Sequence, residues 1–171
     1  MNKYDFKDIS IRGRVAFGIS CLVIYLKNKY SNIDFSALIN KACKITEDSD
    51  YIDESTMAFT EIIPEYLYEF DNFEDAEFDY LSEEEYKLFT SLIPKNDSYL
   101  DILMHAIHDI AWEYCYVALE QNAPATYPYL EKIINIMNSL SLPMPNIKSF
   151  EKYSFKDSDG WGKFINRSEY I

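Results

Sequence analysis

The sequence predicts an all-α fold, a single-domain bundle of about six helices. Three observations carry this. Apolar residues recur at spacings of three and four along most of the chain, and no run of strict alternation is long enough for a strand. The composition is 48% hydrophobic, with only 4 Gly and 6 Pro in 171 residues, as a packed globular chain requires. A chain of this length is most simply one domain, able to bury roughly 70% of the surface its unfolded form exposes. A disordered chain with a net charge of −13 would be poorer in Ile, Leu, Phe and Tyr.

Ile11, Val15, Ile19, Leu22, Leu26 and Tyr30 form one face of a first helix, from about Ile9 to Tyr30. Gly13 and Gly18 lie inside it and fit a close helix–helix approach. Asp34 is placed to cap a second helix carrying Leu38, Ile39 and Ala42. A third runs from about Asp53 through Met57 and Ile62, and Pro64 then kinks it or opens a new turn. Ser82 with Glu85 is a capping box leading Tyr86, Phe89, Leu92 and Ile93, and Pro94 ends that element. The widest apolar surface belongs to 98–121, where Leu100, Leu103, Ile107, Ile110, Tyr114 and Val117 run beside Met104, Ala111, Cys115 and Ala118; this reads as a helix contacted by several others. Thr126 is placed to cap a last helix, with Pro128 in its first turn and Leu130, Ile133, Ile134, Met137 and Leu140 facing inward. Residues 142–171 read as a largely irregular tail with a turn near Asp159 and Gly160, docked by Trp161, Phe164 and Tyr170.

Cys21, Cys43 and Cys115 are scattered without CxxC spacing, which fits reduced thiols in a cytoplasm better than a disulfide framework or a metal knot. The apolar run 15–26 is shorter than the ~20 residues of a membrane span. It also lacks the flanks of a signal peptide, since Asp5 and Asp8 precede it and no small-x-small site follows. The expected location is cytoplasmic, with no membrane partner.

Charge is distributed unevenly. From Glu47 to Tyr86 the chain has sixteen Asp and Glu and no Lys or Arg, so the net acidity belongs to one segment. Solvated faces normally mix signs, because like charges at helical spacing cost a few tenths of a kcal/mol per pair. The same segment holds Tyr51, Tyr66, Tyr68, Phe70, Phe73, Phe78 and Tyr80, and helix geometry exposes some of them. Two bland accounts compete: a solvating face, or pairing with the basic N-terminal helix. A binding surface made of acids and rings is the sharper one. Its sign repels nucleic acid and anionic membranes and attracts a cationic protein. Carboxylates would stand in for phosphates and rings for bases, as on a nucleic-acid-binding site. The binding residues expected are Asp71, Glu74, Asp75, Glu77, Asp79, Glu83 and Glu84 for charge, with Phe73, Tyr80 and Tyr86 as anchors.

With the closing "DGWGKF" (159–164), this size, acidity and aromatic content resemble the small, all-helical immunity proteins that bacteria make against polymorphic or contact-dependent toxins. The resemblance implies a one-to-one complex with a cognate cationic toxin domain, often a nuclease, and transfers no particular residue.

Enzyme readings are weaker. Asp101, His105, Asp109 and Glu113 are each four apart, with His108 alongside, and a helix displaying His and carboxylates can ligate a metal if a second helix adds ligands. The acidic segment could supply them. HxxHD is not HExxH, however, and an enzyme centred on His105, His108 and Asp109 is the runner-up, followed by a homo-oligomeric adaptor built on exposed rings. Cys115 has apolar neighbours, which make a thiol inert. No phosphate-binding glycine loop and no basic stripe is present. The expectation is a non-enzymatic binder without cofactor.

Overall fold

The computed structural model describes residues 1–47 and 52–171; Asp48, Asp50 and Tyr51 of the acidic segment lie outside the described residues. The helices are α1 (Ile11–Lys29), α2 (Ser36–Glu47), α3 (Ile52–Thr60), α4 (Pro64–Leu67), α5 (Phe73–Ala76), α6 (Glu83–Leu92), α7 (Ser98–Trp112) and α8 (Tyr127–Ser139). Six span nine residues or more, and α4 and α5 are single turns. The fold is all-α. The sole strand-like pairing among the described residues is an isolated antiparallel bridge between Ile9 and Ser154.

α1 forms the centre. Ser10 caps it by accepting the Gly13 N–H at 3.2 Å, and buried residues follow on every side of its first four turns. A helix apolar all round must be surrounded, and α7, α2 and α8 pack against it. A Cβ on Gly18 would come within 2.8 Å of Ile107, so the glycine sets how closely α1 approaches α7. No helix among the described residues is long and apolar enough to cross a membrane.

The local stop and start signals act largely as the sequence predicts. Asp34 accepts the Ser36 N–H at 2.9 Å ahead of α2, Pro64 opens α4, and Ser82 and Glu85 form the reciprocal capping box of α6. Two expectations fail. The helix expected to reach Gln121 stops at Trp112, leaving Tyr116 and Val117 71% and 62% exposed. The run "EYCYV" is poor in strong helix formers, and the chain bends there so that Tyr114 tucks in, its hydroxyl accepting the Ala125 N–H at 3.2 Å. Thr126 precedes α8 but does not cap it with its side chain, because its hydroxyl serves Arg14 instead.

Arg14 is fully buried. Its Nε donates to the Ile9 carbonyl at 2.9 Å, Nη1 to Ala123 O (2.9 Å) and Thr126 Oγ1 (2.6 Å), and Nη2 to Phe6 O (3.0 Å) and Asn122 O (2.8 Å). All five N–H donors are used, the condition under which a charge tolerates burial. Burial lowers its pKa to about 10, still cationic at neutral pH. To deliver those carbonyls Asn122 and Ala123 adopt left-handed backbone angles, φ 63° and 40°.

The tail ties both ends of the bundle together. Ser10 N–H donates to Tyr153 O and Phe155 N–H to Asp8 O, both at 2.8 Å. The Trp161 carbonyl accepts the Arg12 N–H at 3.1 Å in the first turn of α1, and the Gly162 carbonyl accepts Arg12 Nη1 at 3.0 Å. Gly162 has φ 84°, and a Cβ there would sit 2.2 Å from Ser10 Oγ. At the far end Ile165 N–H donates to Thr46 O at 2.9 Å, and the Arg167 guanidinium grips Glu47. The "DGWGKF" segment thus satisfies the otherwise orphaned start of α1.

Candidate functional site

Residues 61–93 form one wall of the molecule, built from α4, α5, α6 and their connecting loops. Its inner side is fixed by polar contacts. The Tyr68 hydroxyl donates to the carbonyls of Thr90 and Ile93, closing the C-terminal end of α6. Phe73, Phe78 and Tyr86 make a three-ring cluster with centroids 5.8–6.0 Å apart. The Glu61 carboxylate accepts the N–H groups of Asp79 (2.8 Å) and Tyr80 (3.0 Å). Burial pushes the Glu61 carboxyl above its ordinary pKa, partly offset by those two N–H donors. Lys41 reaches across from α2 to the Tyr80 carbonyl at 3.2 Å and to Glu85 at 3.4 Å.

On this frame Asp71, Glu74, Asp75, Glu77, Asp79, Glu83 and Glu84 are all exposed. Glu83 pairs with Lys87 at 2.5 Å; the other six form no ion pair among the described residues. Glu83, Glu84 and Glu85 also occupy the first turn of α6, where the helix dipole favours negative charge, so part of their presence is structural. Among the described residues, Arg14 of α1 faces oxygens outside the segment, and Lys41 of α2 pairs with one acid of the wall, Glu85. Of the three expected anchors, Tyr80 is 40% exposed, whereas Phe73 and Tyr86 are half-buried in the ring cluster. Tyr66 and Phe70, named among the segment's rings but not among the expected anchors, are exposed at 39% and 40%.

Beside this wall an open groove of about 510 Å³ lies between α2, α3 and α6, lined by Lys41, Lys44, Ala58, Tyr80, Leu88 and Phe89. It is continuous with the acidic surface through Tyr80.

The histidine stripe resolves into two separate arrangements. His108 Nδ1 lies 3.0 Å from its neighbour Asp109, and its ring stacks on Trp112 at 5.8 Å. His105 instead faces Asp101 and Glu65, the latter contributed by α4. His105, His108 and Asp109 do not converge; the only grouping of three possible ligand atoms among the described residues is Glu65, Asp101 and His105. Cys115 Sγ donates to Ala111 O at 3.3 Å, and burial pushes its thiol pKa up to about 11, which suits no nucleophile.

Compared with known proteins, the chain matches no family model, no curated protein and no solved structure.

Proposed function

We propose that this chain is an immunity-type binding protein, which neutralises a cationic toxin domain by covering its substrate-binding surface. One contrast carries the reading. Carboxylates on the inner side of the wall are engaged, Glu61 by backbone N–H groups and Glu85 by its cap and Lys41. Asp71, Glu74, Asp75, Glu77, Asp79 and Glu84 are left exposed, with no ion pair among the described residues. Between α5 and α6 the backbone at Asp79 and Tyr80 is pinned by Glu61 and Lys41, which reduces the ordering left to be done there on binding. Negative charge of this density steers a basic partner and repels nucleic acid. Rigid rings at Tyr66, Phe70 and Tyr80 supply apolar contact beside it.

The test is rescue. The toxin domain encoded beside this chain in its genome is expressed with and without it; restored growth supports the reading, and killing regardless of it removes the reading's basis. The triple variant Glu74→Lys, Asp75→Lys, Asp79→Lys should fold normally and bind the domain at least about a hundredfold more weakly, with a shallower salt dependence. A triple variant that rescues and binds like the parent rules out the acidic surface.

A further inference from the structure

Away from residues 71–86, α4 brings one carboxylate onto a turn of α7. Glu65 Oε2 lies 2.9 Å from His105 Nε2, and Asp101 Oδ2 lies 3.9 Å from the same nitrogen. The three groups lie within 4.8 Å of one another. Asp101 is already oriented: its Oδ1 accepts the Glu65 backbone N–H at 3.0 Å, which turns Oδ2 toward the imidazole. The Tyr66 ring sits 5.6 Å from the His105 ring and shields it.

A second observation concerns His105 itself. Its Nε2 is shut off from solvent, yet it makes no hydrogen bond. The Glu65 oxygen lies within ion-pair distance without forming a hydrogen bond to it. A buried ring nitrogen without a partner is costly, and each such atom calls for a cause. A cation between the two carboxylates and the nitrogen satisfies all three at once.

We propose that Glu65, Asp101 and His105 bind one divalent cation of the borderline class, with Zn²⁺ the best match. One imidazole and two carboxylates select Zn²⁺ or its transition-metal neighbours over Mg²⁺ and Ca²⁺, which take oxygen alone. Ligands about 2.0–2.1 Å from a tetrahedral Zn²⁺ stand about 3.4 Å apart. The separations of 2.9 and 3.9 Å bracket that value, so small side-chain rotations complete the set. The Glu65 N–H holding Asp101 Oδ1 is the supporting contact such ligands normally have. Three protein ligands leave a fourth position for water. The ion would join α4 to α7 and so fix where the acidic wall begins. The site stands independently of the reading above.

The experiment is titration of the EDTA-stripped full-length protein with ZnCl₂ by calorimetry, repeated with CoCl₂ by absorbance. The expected result is one ion per chain, a raised Tm, and a cobalt spectrum without a thiolate charge-transfer band. Glu65→Gln and His105→Gln should each weaken binding by more than the about tenfold to hundredfold that loss of a supporting contact alone costs. His108→Gln and Cys115→Ser should leave it unchanged. Glu65 is exposed, so its variant tests the ligand set even if His105→Gln folds poorly. Failure of the parent protein to bind either ion, or binding that survives Glu65→Gln and is lost in His108→Gln or Cys115→Ser, overturns the assignment.

Discussion

Arg14 carries one positive charge with no exposed surface and meets five oxygens. Glu74, Asp75 and Asp79 carry three negative charges in full view of solvent and form no ion pair among the described residues. The two regions differ in what water does for them. A buried guanidinium has lost its hydration and survives only because carbonyls replace it, so every partner matters. Exposed carboxylates keep their hydration and need nothing from the fold. Charge that the fold does not use, crowded where like signs repel, is charge available to something else. The molecule therefore places its indispensable ion on the axis of the bundle and its surplus ions on one wall.

The comparison breaks first at Arg14. Arg14→Met should strand buried carbonyls and cost about 4 kcal/mol, a large share of a domain stability of about 5–15 kcal/mol. Arg14→Lys recovers little, since an ammonium offers three donors for five acceptors. Urea unfolding measures both, and a Met variant as stable as the parent would erase the distinction between the regions.

Asp97 comes next, a buried carboxylate accepting from Tyr25, Tyr30, Lys29 and the Leu100 N–H. Burial alone would raise its pKa, but the Tyr30, Tyr25 and Lys29 donors outweigh that and hold it below the ordinary value of 3.8. A depressed carboxyl stabilises the fold above its unfolded pKa and loses that contribution as pH falls through the folded value. Asp97→Asn should therefore cost about 2–3 kcal/mol at pH 7 and less at pH 3, read from unfolding at both pH values.

Glu61→Ala sharpens the contrast from the other side. It should speed hydrogen exchange at the Asp79 and Tyr80 amides by about tenfold while moving Tm by no more than about 3 °C, because only the loop is released. The smallest effect has the opposite sign. Glu77 closes α5 with a left-handed backbone, φ 48°, so Glu77→Asn should raise stability by a few tenths of a kcal/mol, combining a better-tolerated conformation with one fewer like charge. A clear loss in thermal unfolding would mean that this acid is structural after all.

What was legible in the sequence follows the same division. Local rules wrote the helices: Ser82 with Glu85, Pro64 and the three–four spacing of α1 all act where they stand. Interactions distant in sequence were not visible. Arg14 shares its helix row with Gly18, Cys21 and Tyr25, a hint of burial, but its partners near residue 123 cannot be inferred from spacing. The end of α7 was missed for the same reason, since the bend after Trp112 serves those partners. Within the acidic segment, charge exposure could be read directly. Which rings point outward depended on the Phe73, Phe78 and Tyr86 cluster, which only folding assembles.

The oxygens around Arg14 also have an order of arrival. Phe6 and Ile9 leave the ribosome just before the arginine, whereas Ala123 and Thr126 are 109 and 112 residues behind it. Until that loop emerges, the helix destined for the centre carries a cation whose desolvation nothing can offset. A nascent chain in which residues 122–126 have not yet emerged should therefore keep α1 wet and loosely packed, and collapse around it only once that stretch is free of the ribosome.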